Sequence, residues 1–136
     1  MKLLSHGRAT NPRRVLIYLR EKGLDLPRED IDVMSGEHRS PQFLAKNPDG
    51  KIPVLELDDG SFLTESAAII EYLEELHPDP PMIGADPQAR AKCRACERVV
   101  SLLIDRTGLY LHQGHPFFAD RAPQNPDAAA AMLPGV

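Results

Sequence analysis

The chain has 136 residues, 42% of them hydrophobic, and a net charge of -4. That length suits one full domain, or a small domain and part of another, with enough apolar content for a packed core. The mild acidity argues against a nucleic-acid surface, no stretch approaches the roughly 18–20 apolar residues that span a bilayer, and the N-terminus lacks a signal-peptide pattern. The expectation is a soluble, cytoplasmic protein with neither nucleic-acid nor membrane partners.

Lys2–Ser5 reads as a first strand. A helix follows from about Asn11 to Lys22, with Asn11 as a candidate N-cap, Pro12 in the first turn and Gly23 at the stop. Val15, Leu16 and Leu19 supply its buried face, widened by either Ile17 or Tyr18. Leu26–Val33 predicts a weak strand whose proline and acids suit a sheet edge. Ser40 and Pro41 open a short helix through Lys46, closed by the turn signal of residues 47–50. Val54–Leu57 and Ser61–Thr64 form a hairpin across Asp58, Asp59 and Gly60.

A helix from Ser66 to about Leu76 comes next, with Ile69, Ile70, Leu73 and Leu76 as its apolar stripe. The prolines of residues 77–87 end it and form a linker. The order β-α-β-α-β-β-α predicts a small α/β layer fold. Beyond the linker, Pro87 to about Tyr110 is helical, with Cys96, Val99, Val100, Leu103 and Ile104 on its apolar face. The last 20 residues lack a periodic core.

Three junctions carry candidate chemistry. Pro53 precedes a strand; a cis bond there would leave the Ile52 N–H and C=O open to a peptide-like ligand. Glu65 and Ser66 stand where a helix begins, with free N–H groups for a carboxylate and an acid for an ammonium group. Together they suit an α-amino acid head. Helix capping by Thr64 or Ser66 explains the same residues. Lys51 and His38 are loop residues positioned to meet a second carboxylate, or simply to face solvent.

Two other signals carry less. Cys93 and Cys96 have redox-pair spacing but fall inside a helix rather than after the first strand; Cys96 is expected in the core and Cys93 partly exposed. With His112 and His115 they give C-x2-C-x15-H-x2-H. The last spacing is short for structural zinc, and an apolar helix separates the pairs. No metal is expected.

The segments RRVLIYLREKG (13–23), GEHRSPQFLAKNPDGKIPVL (36–55) and DGSFLTESAAIIEYL (59–73) together resemble the N-terminal domain of a glutathione transferase, most like the theta or nu type. The resemblance implies an α/β thioredoxin-like domain over 1–77 and the start of an all-helical domain over 88–136, cut short of the usual length. It implies a homodimer and a detoxifying transfer of glutathione to a small electrophile. Glutathione-dependent reduction of a disulfide or peroxide, and a noncatalytic binding or scaffold role, are the alternatives. By the same resemblance Ile52 holds the cysteinyl backbone, Pro53 is the cis-proline, Glu65 and Ser66 hold the γ-glutamyl head, and His38 and Lys51 approach the glycyl carboxylate. Asn11 is the expected thiolate contact, with Thr10 and Ser5 behind it. The absence of cysteine from residues 9–12 argues against a protein thiolate there.

Overall fold

The computed structural model describes residues 1–120 and 124–131. Two compact units divide the chain, Met1–Asp86 and Pro87–Val136. The first contains β1 (Lys2–Ser5), α1 (Thr10–Lys22), β2 (Arg28–Asp30), α2 (Pro41–Leu44), β3 (Val54–Glu56), β4 (Phe62–Thr64) and α3 (Ser66–Leu76), so the expected order holds. The sheet runs β2-β1-β3-β4; β1 and β2 are parallel, and the other pairs antiparallel.

Alternation along the central strands builds a core on each face of the sheet. Leu3 and Leu55 point to one side and pack with Val15, Tyr18 and Leu19 of α1 and Ile69 and Leu73 of α3. Leu4 and Val54 point to the other, against Ile31 and Phe43. Tyr18, rather than Ile17, completes the buried face of α1, and Ile17 is 54% exposed. Gly23 ends α1 at φ 68°, a left-handed position open to glycine.

The N-terminus of α1 departs from expectation. Ala9 is the N-cap, and no side chain caps the helix. Asn11 therefore lies inside the first turn. Ser40 does cap α2, its hydroxyl accepting from the Phe43 N–H at 3.2 Å. On α3 the apolar stripe stops at Leu73, and Leu76 is exposed.

A buried ion pair joins the ends of α1 and α3. Lys22 Nζ lies 2.7 Å from Glu74 Oε2 and donates to the carbonyls of His77 and Pro80, each at 2.5 Å. The Glu74 carboxylate also accepts from Tyr18 Oη at 2.5 Å and from the Met82 and Ile83 N–H groups at 2.7 and 3.3 Å. One pair thus ties two helices to the start of the linker.

The second unit contains α4 (Pro87–Gly114) and α5 (Pro126–Ala131). The buried Ala129 of α5 lies against Gly114, where an added Cβ would meet the Ala129 methyl at 3.2 Å. Among the residues expected on the apolar face of α4, Cys96, Val99, Val100 and Leu103 are exposed and Ile104 is half-buried. The sequence identifies that face but not what covers it. The unperiodic tail lies partly outside the described residues.

Burial pushes the Glu74 carboxyl upward, but the bonds from Lys22, Tyr18 and two backbone amides outweigh it and hold the group at about 2, from 4.5. Because the folded value is depressed, the stabilisation is complete above the unfolded value and is lost as pH falls through the folded one. Denaturant titrations between pH 6 and 2 should show a loss of up to roughly 3 kcal/mol from this group. Glu74→Gln should be less stable at neutral pH and lack that part of the acid dependence; an unchanged pH profile would contradict the assignment.

Candidate functional site

A small cleft in the first unit is lined by Asn11, Asn47, Lys51, Ile52, Pro53, Glu65 and Ser66. Three elements deliver these residues: the first turn of α1, the loop entering β3, and the first residues of α3. The enclosed space is about 20 Å³, room for about one water molecule. A peptide-sized ligand would therefore lie along this surface, not inside it.

The Ile52–Pro53 peptide bond is cis. The Ile52 side chain packs on the core cluster of Leu4, Ile31, Phe43 and Val54. Its N–H and C=O engage no hydrogen bond among the described residues, since the β3 pairing begins at Val54. That backbone is the free edge an extended ligand needs.

Glu65 has φ 67° and ψ 117°, the one non-glycine residue with positive φ among those described. Such a conformation costs on the order of 1–3 kcal/mol and persists where surrounding structure enforces it. Glu65 serves as N-cap of α3 through its carbonyl, which accepts from the Ile69 N–H at 2.9 Å. No side chain caps α3. Its first amides are therefore unclaimed, beside a buried Ser66 whose hydroxyl has no partner among the described residues. The capping role expected of Thr64 or Ser66 is not what the structure shows.

Asn11 likewise has a side-chain amide without a hydrogen-bond partner among the described residues, and it lies in the cleft. The N-cap explanation of Asn11 fails because Ala9 holds that position. Thr10 and Ser5 are not cleft-lining: Thr10 is exposed at the first position of α1, and Ser5 is buried in β1. His38 is also outside the lining. Burial, then the Arg39 charge, lowers its pKa, and its Nδ1 is buried without a partner among the described residues. A neutral imidazole follows at pH 7. The His38 carbonyl packs against Gly50, next to Lys51.

Asn47 was not expected. It is buried, donates from Nδ2 to the Lys51 carbonyl at 2.7 Å, and accepts at Oδ1 from the Asp49 N–H at 3.1 Å. It closes the loop from inside and sets the approach of Lys51 and Ile52. The Asn-Pro-Asp-Gly turn signal was the visible trace of this role. Of the discounted pairs, Cys93 is half-buried and Cys96 exposed, both free thiols, which corrects the placement of Cys96 in the core. Among the described residues no group of three or more His, Cys, Asp or Glu is arranged to hold a metal, and no helix is long and apolar enough to cross a membrane.

A β2-β1-β3-β4 sheet with helices on both faces and a cis-proline loop entering β3 defines a thioredoxin-like domain. The chain belongs to the glutathione transferase family: the model for the glutathione S-transferase N-terminal domain matches residues 8–81. It is 43% identical over 117 residues to the maleylacetoacetate isomerase of Pseudomonas aeruginosa, covering 85% of this chain and 52% of that protein. It resembles the crystal structure of Gtt2 from Saccharomyces cerevisiae with TM-score 0.87 and 32% identity, over 97% of this chain and 66% of that one. A glutathione transferase homologue from Sulfitobacter, solved with bound glutathione, aligns with TM-score 0.75 and 25% identity, over 96% of this chain and 60% of that one. The chain spans about half the length of the curated relatives it matches. These matches establish the family, not the theta or nu subclass.

Gly50 has φ 60°, and a Cβ built there would lie 2.7 Å from Arg39 Nη1 and 2.9 Å from the His38 carbonyl oxygen. Gly50→Ala should therefore destabilise the first unit by about 1–3 kcal/mol in denaturant melts. A stability equal to the parent would show that the loop relaxes freely and does not depend on this close approach.

Proposed function

We propose that this chain binds glutathione along the cleft and presents its thiolate to a small electrophile. The observation that carries the reading is the convergence of three unclaimed groups: the Ile52 backbone, the Asn11 amide and the α3 N-terminus with Ser66. Glutathione has a zwitterionic α-amino acid at one end, a carboxylate at the other and a thiol between. The residues fit that charge pattern. Glu65 accepts from the ammonium group, while Ser66 and the first α3 amides donate to the adjoining carboxylate. Ile52 pairs with the cysteinyl backbone, and Pro53 fixes the turn that exposes it. Lys51 meets the far carboxylate as a charge, with His38 assigned beside it as a neutral donor.

When bound, glutathione supplies the nucleophilic sulfur. Asn11 donates its amide hydrogen to that sulfur, which favours the charged form and lowers the thiol pKa. The thiol proton passes to solvent. The sulfur then forms a bond to an electrophilic carbon, whose leaving group departs with its electron pair, and no residue of the chain becomes covalently modified. The names of the relatives, transferases and an isomerase, support an enzyme over a scaffold. The reading includes a homodimer in the cytoplasm, acting in detoxification; the exposed Val99, Val100 and Leu103 of α4 support association.

Ultraviolet titration of bound glutathione reads the central step. The thiol should ionise at lower pH when bound than when free. Asn11→Ala should raise the bound value by about 1–2 units, the equivalent of one hydrogen bond to a charged acceptor. Binding with no shift in thiol ionisation would favour the noncatalytic role, and no binding by the folded chain would sink the assignment. Glu65→Gln removes the ammonium partner with its shape retained. It should weaken glutathione about tenfold in calorimetric titrations, with the thiol pKa of bound glutathione unchanged.

A further inference from the structure

The Ile52 N–H is one half of a peptide group whose other half is the Lys51 carbonyl, and that carbonyl is held from within the protein. Asn47, 4% exposed and just past α2, donates from Nδ2 to the Lys51 oxygen at 2.7 Å. The Lys51–Ile52 bond is trans, since the cis bonds among the described residues are those before Pro53 and Pro80. In a trans peptide the C=O and N–H point in opposite directions. Drawing the Lys51 oxygen onto the buried amide therefore turns the Ile52 N–H away from it and leaves that donor unspent at the cleft.

Closing the loop does not by itself need this bond. Asn47 Oδ1 accepts from the Asp49 N–H at 3.1 Å, an Asx-turn that aspartate makes equally well. The Asn47 backbone adds two bonds, its N–H to the Phe43 carbonyl and its carbonyl from the Gly50 N–H, both at 2.9 Å. Those three bonds do not depend on the side-chain nitrogen. The Nδ2 donor alone distinguishes asparagine from aspartate here, and its acceptor is the carbonyl of the peptide that faces the ligand. A hydrogen bond to that oxygen also polarises the peptide and strengthens its N–H as a donor.

We infer that Asn47 is a positioning residue for the cysteinyl backbone of the ligand: through the Lys51 carbonyl it sets the plane of the 51–52 peptide and aims the Ile52 N–H at the extended tripeptide. It acts without touching the sulfur. The ligand in this inference rests on the glutathione reading, whereas the orientation of the peptide belongs to the free protein and is tested there first.

In the ligand-free chain, NMR should detect a scalar coupling across the hydrogen bond from Asn47 Nδ2 to the Lys51 carbonyl carbon. Asn47→Asp keeps the shape and the Asp49 bond but sets a carboxylate oxygen against the Lys51 carbonyl at neutral pH. The Ile52 amide resonance should then move, and S-methylglutathione, whose sulfur does not titrate, should bind about tenfold more weakly in calorimetry. Burial beside a carbonyl oxygen favours the protonated acid, which donates an O–H where the amide donated an N–H. Lowering the pH from about 7.5 to about 5 should therefore return the variant's Ile52 shift and affinity toward those of the parent at the same pH. The parent carries the same Lys51, Glu65 and His38, so their titration cancels in that comparison. A thermal melt at each pH confirms the fold. A role in packing alone predicts no such recovery, because the carboxylate and the acid have one shape. No coupling in the parent, a variant with the parent's Ile52 shift and affinity at neutral pH, or a loss that persists on acidification would overturn the inference. A parent that shows the coupling yet binds no S-methylglutathione would sink the glutathione reading while upholding the orientation of the peptide.

Discussion

The buried pair of Lys22 and Glu74 is the constraint around which the first unit is arranged. It fastens the C-terminal ends of α1 and α3 to one another. Because Asn11 and Ser66, at the opposite ends of those helices, line one cleft, the helices lie side by side in the same direction. Leu3 and Leu55 pack beneath both. Two charges buried this way are costly unless every remaining donor and acceptor is used. Here the surplus goes to Tyr18, two linker carbonyls and two linker amides. The pair thereby fixes where the chain leaves α3 as well as how α1 meets it.

The site lies at the other end of the same helices, and local rules of stability are relaxed there. Both helix starts lack side-chain caps, the Ile52 backbone is outside the β ladder, and Glu65 holds a conformation that favours glycine. Each departure costs the free protein something, and each leaves a donor or acceptor facing one surface. Such departures are expected to gather where a ligand binds. Asn47 and Gly50 supply the opposing rigidity, one by hydrogen bonds within the loop and the other by close approach to the His38 carbonyl and the Arg39 side chain.

Much of the fold was legible because local signals agreed with tertiary ones. The two apolar faces of β1, the Asp-Asp-Gly turn and the Ser66–Leu76 helix are each dictated by period or turn chemistry. Pro53 was legible as a position, but its isomer depends on the packed loop. The Asn11 cap was misread because residues 9–11 offer several plausible starts, and one residue moves the side chain around the helix. Glu74 and Lys22 were missed because their partnership spans 52 positions that no local pattern connects. Exposed Leu76, Cys96 and Val99 mark the same limit: periodicity shows that a helix has an apolar face, not which surface meets it.

The proposed binding of glutathione rests on groups within residues 11–66, all in the first unit. Its central claim is that the Ile52 backbone and the α3 N-terminus together receive one tripeptide. The most direct measurement is an amide-resolved NMR titration of the chain with reduced glutathione. The account predicts that Ile52, Ser66 and Ala67 shift along one saturating curve, with the Asn11 side-chain amide following it. Saturable binding that leaves Ile52 and Ser66 unmoved, or a folded chain with no shifts at millimolar ligand, would contradict it.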